Sequence, residues 1–320
     1  MTGNDKLTKV KIALLSMVRH PWEQGTAANA FKESGDEDIV ILMANDAIAR
    51  QLEDGRLSAM WPTYNITDPC VCGESVMFAY EKTGDLKYLD AAKKMLDFIN
   101  KAPGTEEGLQ YHNYKQPMIA SDCMYMVPPF YAIMREYQEA VKQADLRIKL
   151  LWNEEKQVMN HQWDAEKNTL WRDKRWGAAS GWTLAALVKI IHWLPENLHR
   201  ERELLCSHFN RLVNGMLQYQ LPNGLFHDCL DEPDTFVETN AAQMLAYSIY
   251  RGVYWGFLDN SFISSADRIR KTANEQVDDI GLVQGAAAAP GFESPGVSPE
   301  AQSFYILMET AATDIESRTH

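Results

Sequence analysis

The sequence predicts an all-α protein assembled from helical hairpins, and three observations carry that prediction. Apolar residues recur at three- and four-residue spacing along most of the chain, whereas the alternation expected of half-buried strands is sparse and short. A helix-turn-helix unit repeats along the sequence. Finally, 46 % apolar and 10 % aromatic residues over 320 positions supply enough material for one large core.

Taken in chain order, helical periodicity runs through 26–33, 39–52, 74–81, 87–100, 130–142, 181–192, 199–218 and 241–254, and about eleven or twelve helices fit the length. The clearest repeat pairs FKESGDEDIVILMANDAIARQL from Phe31 with YEKTGDLKYLDAAKKMLDFI from Tyr80; GFLDNSFISSADRIRKTA from Gly256 is a fainter copy. In each, Gly supplies the left-handed position that ends one helix and Asp or Asn can cap the next. A hairpin of about 50 residues, used about six times, consumes the chain. Such hairpins build either an open solenoid or a closed ring, and periodicity alone does not choose. The loop-rich stretch is 281–299, with GAAAAPGFESPGVSP, too short for a domain boundary, so residues 1–320 read as one domain.

Charge narrows the partners. A net charge of −13 and a pI near 5.1 argue against nucleic acid or an anionic membrane surface, both of which require a basic footprint. A small molecule or glycan is the better expectation. Five scattered cysteines, Cys70, Cys72, Cys123, Cys206 and Cys229, lack metal-ligand spacing and read as reduced thiols. The apolar run 12–18 ends at Arg19-His20-Pro21-Trp22 without a small-residue cleavage site, and no stretch approaches the roughly 18 apolar residues of a membrane span. A cytoplasmic protein is expected.

Phosphate-binding glycine loops, a nucleophile elbow and a zinc-protease helix are all missing from the sequence. What stands out is the segment from Leu150 to Trp193, which holds six of the nine tryptophans: Trp152, Trp163, Trp171, Trp176, Trp182 and Trp193. They are interleaved with His161, Asp164, Arg172, Asp173 and Arg175. Any one of these rings, taken alone, reads better as core. Together they suit the apolar faces of sugars, with the polar groups left for hydroxyls. One further oddity is Asp122, a lone carboxylate in KQPMIASDCMYMVPPF. It is either a first-turn helix residue behind a Ser121 cap or a titrating group kept among apolar neighbours. Asp68, in NITDPCVCGES, is equally open, because Asp before Pro commonly starts a turn.

These segments together resemble the unsaturated glucuronyl and rhamnogalacturonyl hydrolases of glycoside hydrolase families 88 and 105, nearer the latter. The resemblance runs through HPWEQGTAANAF, YEKTGDLKYLDAAKKM, YHNYKQPMIASDCMYMVPPFYA, HQWDAEKNTLWRD, WGAASGW, GLFHDCLDEPDTFVETNAAQMLAYSIYRGV and SPEAQSF, in the family's order. It implies a closed (α/α)6 barrel of six hairpins. It also implies hydration of the C4=C5 double bond of an unsaturated uronic acid at the non-reducing end of an oligosaccharide, with no cofactor, no metal and no covalent intermediate. Asp122 would be the general acid and base, and Asp68 the second acidic residue. His161, Trp176 and Trp182 match substrate-contacting positions. His20, Trp22, His227 and Glu238 follow from the alignment of their segments, each equally readable as a helix contact or cap.

A neutral Asp122 would be favoured by a wall of Met118, Ile119 and Met124 and disfavoured by a helix N-terminus. Two departures stand out: Ala178 replaces an arginine common in the family's Trp-Gly-Arg-Gly-Asn-Gly-Trp motif, and Ala120 replaces a tryptophan before the catalytic Asp. Arg172, Lys174 or Arg175 would have to supply the missing charge. The competing expectations are an inverting glycosidase or sugar epimerase on the same ring, and a catalytically lapsed ring that only binds glycans.

Overall fold

The structure, a computed structural model, describes residues 3–61 and 63–318. Twelve α-helices are present among them: α1 (Gly3–Met17), α2 (Pro21–Glu33), α3 (Glu37–Ala49), α4 (Gly73–Thr83), α5 (Leu86–Lys101), α6 (Cys123–Ile133), α7 (Tyr137–Leu151), α8 (Gly177–Trp193), α9 (His199–Leu217), α10 (Asn240–Tyr254), α11 (Ile263–Glu275) and α12 (Pro299–Arg318). The even-numbered helices pack in sequence, α2 on α4, α4 on α6, α6 on α8, α8 on α10 and α10 on α12, and α12 returns to α2. This closes the ring that the repeat left undecided. Each odd-numbered helix packs outside, with α1 against α12.

Burial separates the two shells. Every residue of α8 from Gly177 to Ile191 and of α10 from Asn240 to Gly252 is buried. An outer helix such as α5 buries only one stripe, Tyr88, Ala91, Ala92, Met95, Phe98 and Ile99, which is the spacing that made outer helices legible. The repeated turns are as expected, with Gly35 and Gly84 at φ +80° and +71° and Asp85 accepting from the Lys87 amide. The expected single helix over 130–142 is instead the end of α6 and the start of α7, broken by a turn at 134–136 with Arg135 at φ +66°. No glycine marks that turn, and apolar spacing carries straight across it.

Strands are few and short, but one group positions the site. Met118–Ala120, Gln162–Asp164 and Thr169–Arg172 form a three-stranded antiparallel sheet, with Ala120 opposite Gln162 and Gln162 opposite Arg172. The Ser121 amide donates to the His161 carbonyl at 3.0 Å. The start of α6 is thereby tied to the connection between α7 and α8.

Going down the ring from the N-termini of the inner helices, an aromatic layer comes first. Tyr125, Trp182 and Phe304 meet at centroid distances of 5.0 to 5.7 Å, and Tyr247 lies 6.1 Å from Phe304. A charged layer follows. Lys189 pairs with Glu74, Glu74 pairs with Lys32 at 3.0 Å, and Lys189 and Asn29 reach the Tyr125 hydroxyl at 3.4 and 3.3 Å. Arg251 then joins Glu33 and Asp314 at 2.7 and 2.6 Å. All six inner helices take part. Among the described residues, no helix is long and apolar enough to cross a membrane.

Removing one member of a buried pair leaves the other charge without its main partner, at a cost of about 3 to 5 kcal/mol when nothing compensates. Because Lys32 also reaches Glu74, Lys189→Met is expected to destabilise the fold by about 2 to 3 kcal/mol, measured as a lower urea midpoint with an unchanged slope.

Candidate active site

The N-termini of the inner helices converge on a cavity of about 260 Å³. Each inner helix contributes to its wall: Trp22 from the first turn of α2, Asp68 from the 3-10 turn Asp68–Cys72 that leads into α4, Asp122 at the start of α6, Ala178 from α8, Asn240 from α10 and Glu300 from α12. The N-terminal end of a helix carries unsatisfied amides and a partial positive charge. Six such ends facing one space favour an anion there.

Asp122 occupies the cap position of α6 with φ −60° and ψ −30°, and its side chain makes no capping bond. Its Oδ1 is buried and finds no hydrogen-bond partner among the described residues. Ser121 does not cap the helix ahead of it, because its Oγ is likewise buried with no hydrogen-bond partner among the described residues and Asp122 itself holds the cap position. Met118, Ile119 and Met124 are all buried and none of them lines the cavity, whereas Met126, one turn into α6, does.

Asp68 is more constrained. Asn65 Nδ2 donates to its Oδ2 at 2.7 Å, and His112 Nδ1 lies 3.8 Å from its Oδ1. Burial pushes the Asp68 carboxyl up to about 6; His112 opposes this, and the Asp122 charge adds to it. Burial likewise opposes the charged form of His112, yet the neighbouring Cys123 sulfur and Asp68 carboxylate outweigh it and raise that histidine. Cys123 Sγ and Thr67 Oγ1 sit 3.3 and 3.1 Å from His112 Nδ1.

His161 behaves oppositely. Burial lowers it to about 4 despite the pull of Asp122, so its ring is neutral over the ordinary pH range. Its Nδ1 is buried and has no protein partner among the described residues. The ring lies 4.7 Å from Trp176, which is fixed in turn by Nε1 donating to Asp228 Oδ1 at 3.0 Å. Trp22 Nε1 donates to Glu300 Oε1 at 2.6 Å, closing the wall between α2 and α12. Burial raises the Glu300 carboxyl above its usual range.

Of the residues singled out in the sequence, the cavity collects Asp122, Asp68, His161, Trp176, Trp182, Trp22 and Arg172. Four lie outside it. His20 stacks on Trp22 at 4.3 Å and borders a smaller neighbouring cleft. Both oxygens of Glu238 are taken by backbone amides of Asn240, Ala241 and Ala287 at 2.6 to 3.0 Å, so it serves as a cap for α10. His227 Nδ1 contacts the Thr235 carbonyl at 2.8 Å. Arg175 clasps both oxygens of Asp231 at 3.1 and 3.0 Å. Ala178 is on the wall, while Ala120 is fully buried in its strand.

Sequence reasoning passed over His112, Met126, Gln162, Asn240, Phe292, Ser298 and Glu300, all on the wall. His112 and Glu300 lay inside segments already quoted, but nothing in their local pattern marks them as facing a shared space. Apart from Trp176 and Trp182, the tryptophans of the rich segment do not line the cavity: Trp152, Trp163 and Trp193 pack against the core, and Trp171 is exposed.

Comparison with known proteins bears on this geometry. The model of Glycosyl Hydrolase Family 88 matches residues 5–314. The unsaturated rhamnogalacturonyl hydrolase YesR of Bacillus subtilis (strain 168) is 24 % identical over 270 residues, which cover 78 % of this chain and 76 % of that protein. Among solved structures, a family 105 glycoside hydrolase of C. acetobutylicum ATCC 824 superposes with a TM-score of 0.84 at 21 % identity, covering 98 % of this chain and 99 % of that one. The unsaturated glucuronyl hydrolase of Bacillus sp. GL1 gives 0.70 at 12 % identity, covering 95 % and 93 %. Both share the six-hairpin ring.

The raised Asp68 carboxyl has a consequence for stability. A carboxyl at about 6 in the folded state, against 3.8 in the unfolded chain, favours the fold below pH 3.8 and loses that contribution as pH rises through 6. Asp68→Asn removes the loss. Its stability relative to wild type should rise by about 2 kcal/mol between pH 4 and pH 7, read from paired urea titrations; a difference that does not vary with pH would contradict the assignment.

Proposed function

The chain belongs to Glycosyl Hydrolase Family 88, and from that premise we propose that it removes a 4,5-unsaturated uronic acid from the non-reducing end of lyase-generated oligosaccharides, with Asp122 as general acid and base. The observation that carries the reading is Asp122 Oδ1, a buried carboxylate oxygen without a protein partner among the described residues, on the wall of a cavity lined by tryptophan rings interspersed with polar side chains. Such an oxygen is free to serve a bound molecule. The volume is at the small end of ligand sites, which suits one terminal sugar ring.

In the proposed reaction Asp122 delivers a proton to C4 of the vinyl ether. The same carboxylate then takes a proton from a water that adds its oxygen at C5. The hemiketal so formed opens, and the remaining sugar leaves without attack at the glycosidic bond. Catalysis of this kind differs from that of enzymes whose two carboxylates flank the glycosidic oxygen. Asp68, held at about 6 chiefly by burial, keeps a proton in the site under mildly acidic conditions. Neutral His161 can exchange hydrogen bonds with sugar hydroxyls, while Trp22, Trp176 and Trp182 offer apolar faces to the ring.

A reducing, cytoplasmic setting is part of the proposal, supported by five cysteines that stand as free thiols.

The test is loss of the ultraviolet absorbance of the conjugated alkene in a panel of unsaturated disaccharides. Asp122→Asn is expected to lower kcat by about 10²- to 10⁴-fold, the usual weight of a general acid-base group, with little change in binding. Cleavage of saturated glycosides, or an active Asp122→Asn, would point to different chemistry. In the wild type, kcat/KM should fall as pH rises through about 6, where Asp68 loses its proton, and Asp68→Asn should displace that limb.

A further inference from the structure

The mouth of the cavity carries a contact that the proposed reaction does not use. Arg172, at the end of strand Thr169–Arg172, lines the cavity, and its Nη2 donates to Glu293 Oε1 at 2.9 Å. Glu293 belongs to the loop that runs from Ala287 to α12, and its neighbour Phe292, at φ +58°, is itself on the cavity wall. The loop thus reaches the site with one apolar and one anionic side chain, the latter already seated on a guanidinium.

The other cations that could have replaced the arginine missing at Ala178 are committed elsewhere. Lys174 is held by Glu232 at 2.7 Å. Arg175 is held by Asp231 at 3.1 and 3.0 Å and also pairs with Asp173. Neither lines the cavity. Arg172 is the guanidinium at the wall, and its nearby anions are unequal. Asp228 already accepts from Trp176 at 3.0 Å, whereas the Glu293 side chain is 75 % exposed, so it can turn into water at little cost.

A carboxylate on a guanidinium is also what an acidic sugar would make here. We propose that Glu293 is an internal competitor for Arg172, displaced by the carboxylate of an anionic sugar, so that Arg172 gives the site its preference for acidic over neutral chain ends and Glu293 tempers that preference. A neutral sugar cannot replace the charge that Glu293 supplies, so it leaves the bridge in place. An acidic sugar takes over the guanidinium and releases the loop that carries Phe292. The inference rests on the reading above only in taking a uronate as the anion; it does not depend on the chemistry at C4 and C5.

Binding can be followed without turnover by the fluorescence of the wall tryptophans, titrating the full chain with sodium glucuronate and, as a neutral control, with its methyl ester. Glu293→Gln is expected to tighten glucuronate about two- to fivefold, the worth of an exposed ion pair, and to leave the ester unchanged. Arg172→Ala should weaken glucuronate by about tenfold or more, as loss of a charge-assisted bond does, and the tightening should vanish when both substitutions are combined. Unchanged or weaker glucuronate binding in Glu293→Gln, equal tightening of the ester, a gain that persists in the Arg172→Ala background, or no saturable response in any variant would overturn the proposal. Failure of alkene hydration alongside the expected binding pattern would instead count against the reaction and leave the competitor intact.

Discussion

Lys189 and Glu74 face each other, both buried, inside a closed ring of helices, and much else follows from keeping them there. Lys189 is 2 % exposed. A pair so placed is tolerable only when both charges are well partnered, and here the partners come from around the ring: Lys32 of α2 on Glu74, and on Lys189 the hydroxyl of Tyr125 from α6, which also accepts from Asn29. Glu74 shows the balance. Burial works against its charge, but Lys189 and Lys32 together hold its carboxyl below the usual range. The aromatic layer of Tyr125, Trp182, Phe304 and Tyr247 then separates this buried charge from the cavity. Trp182 is shared, forming both a plate of that layer and part of the cavity wall.

The same ring resolves an apparent contradiction of charge. A protein of net charge −13 would be expected to repel an acidic ligand at long range. Close to the cavity, however, the inner-helix N-termini present amides and partial positive charge, and Arg172 adds a full one. The carboxylates near the wall are moderated in different ways. Glu238 is consumed as a cap with its carboxyl raised to about 7 by burial, Asp68 is raised to about 6, and Glu300 is raised and bonded to Trp22. Local dipoles and protonation, rather than net charge, set the sign that a ligand meets.

How much of this was legible in the sequence depends on whether the information was local. Outer helices announced themselves because one face must be polar, and the Gly35 and Gly84 turns because few other residues adopt positive φ cheaply. Inner helices such as α8, buried on all sides, gave weaker periodicity. The α6–α7 turn was hidden because Arg135, not glycine, takes the left-handed position. Within the site, Asp122, Asp68 and His161 drew attention through unusual neighbours and family resemblance. Glu238 and His227 were drawn in by the same alignment, but whether a side chain spends its oxygens on backbone amides or on the cavity is decided by neighbours distant in sequence. His112 and Glu300 were missed for the mirror-image reason.

The bond between Trp22 and Glu300 joins residues separated by 278 positions, and it has a bearing on the order of events during synthesis. Chains emerge from the N-terminus, and early segments can settle before later ones exist. The walls from α2 to α10 can thus form while the space between α2 and α10 is still unfilled, exposing apolar surface that α12 will cover. Only when α12 slots in do Ser298 and Glu300 complete the cavity wall and Phe304 the aromatic layer beneath it. The cavity wall therefore cannot be complete until the C-terminal helix is in place, and a chain that still lacked α12 would leave the aromatic layer without Phe304 and the cavity without Glu300.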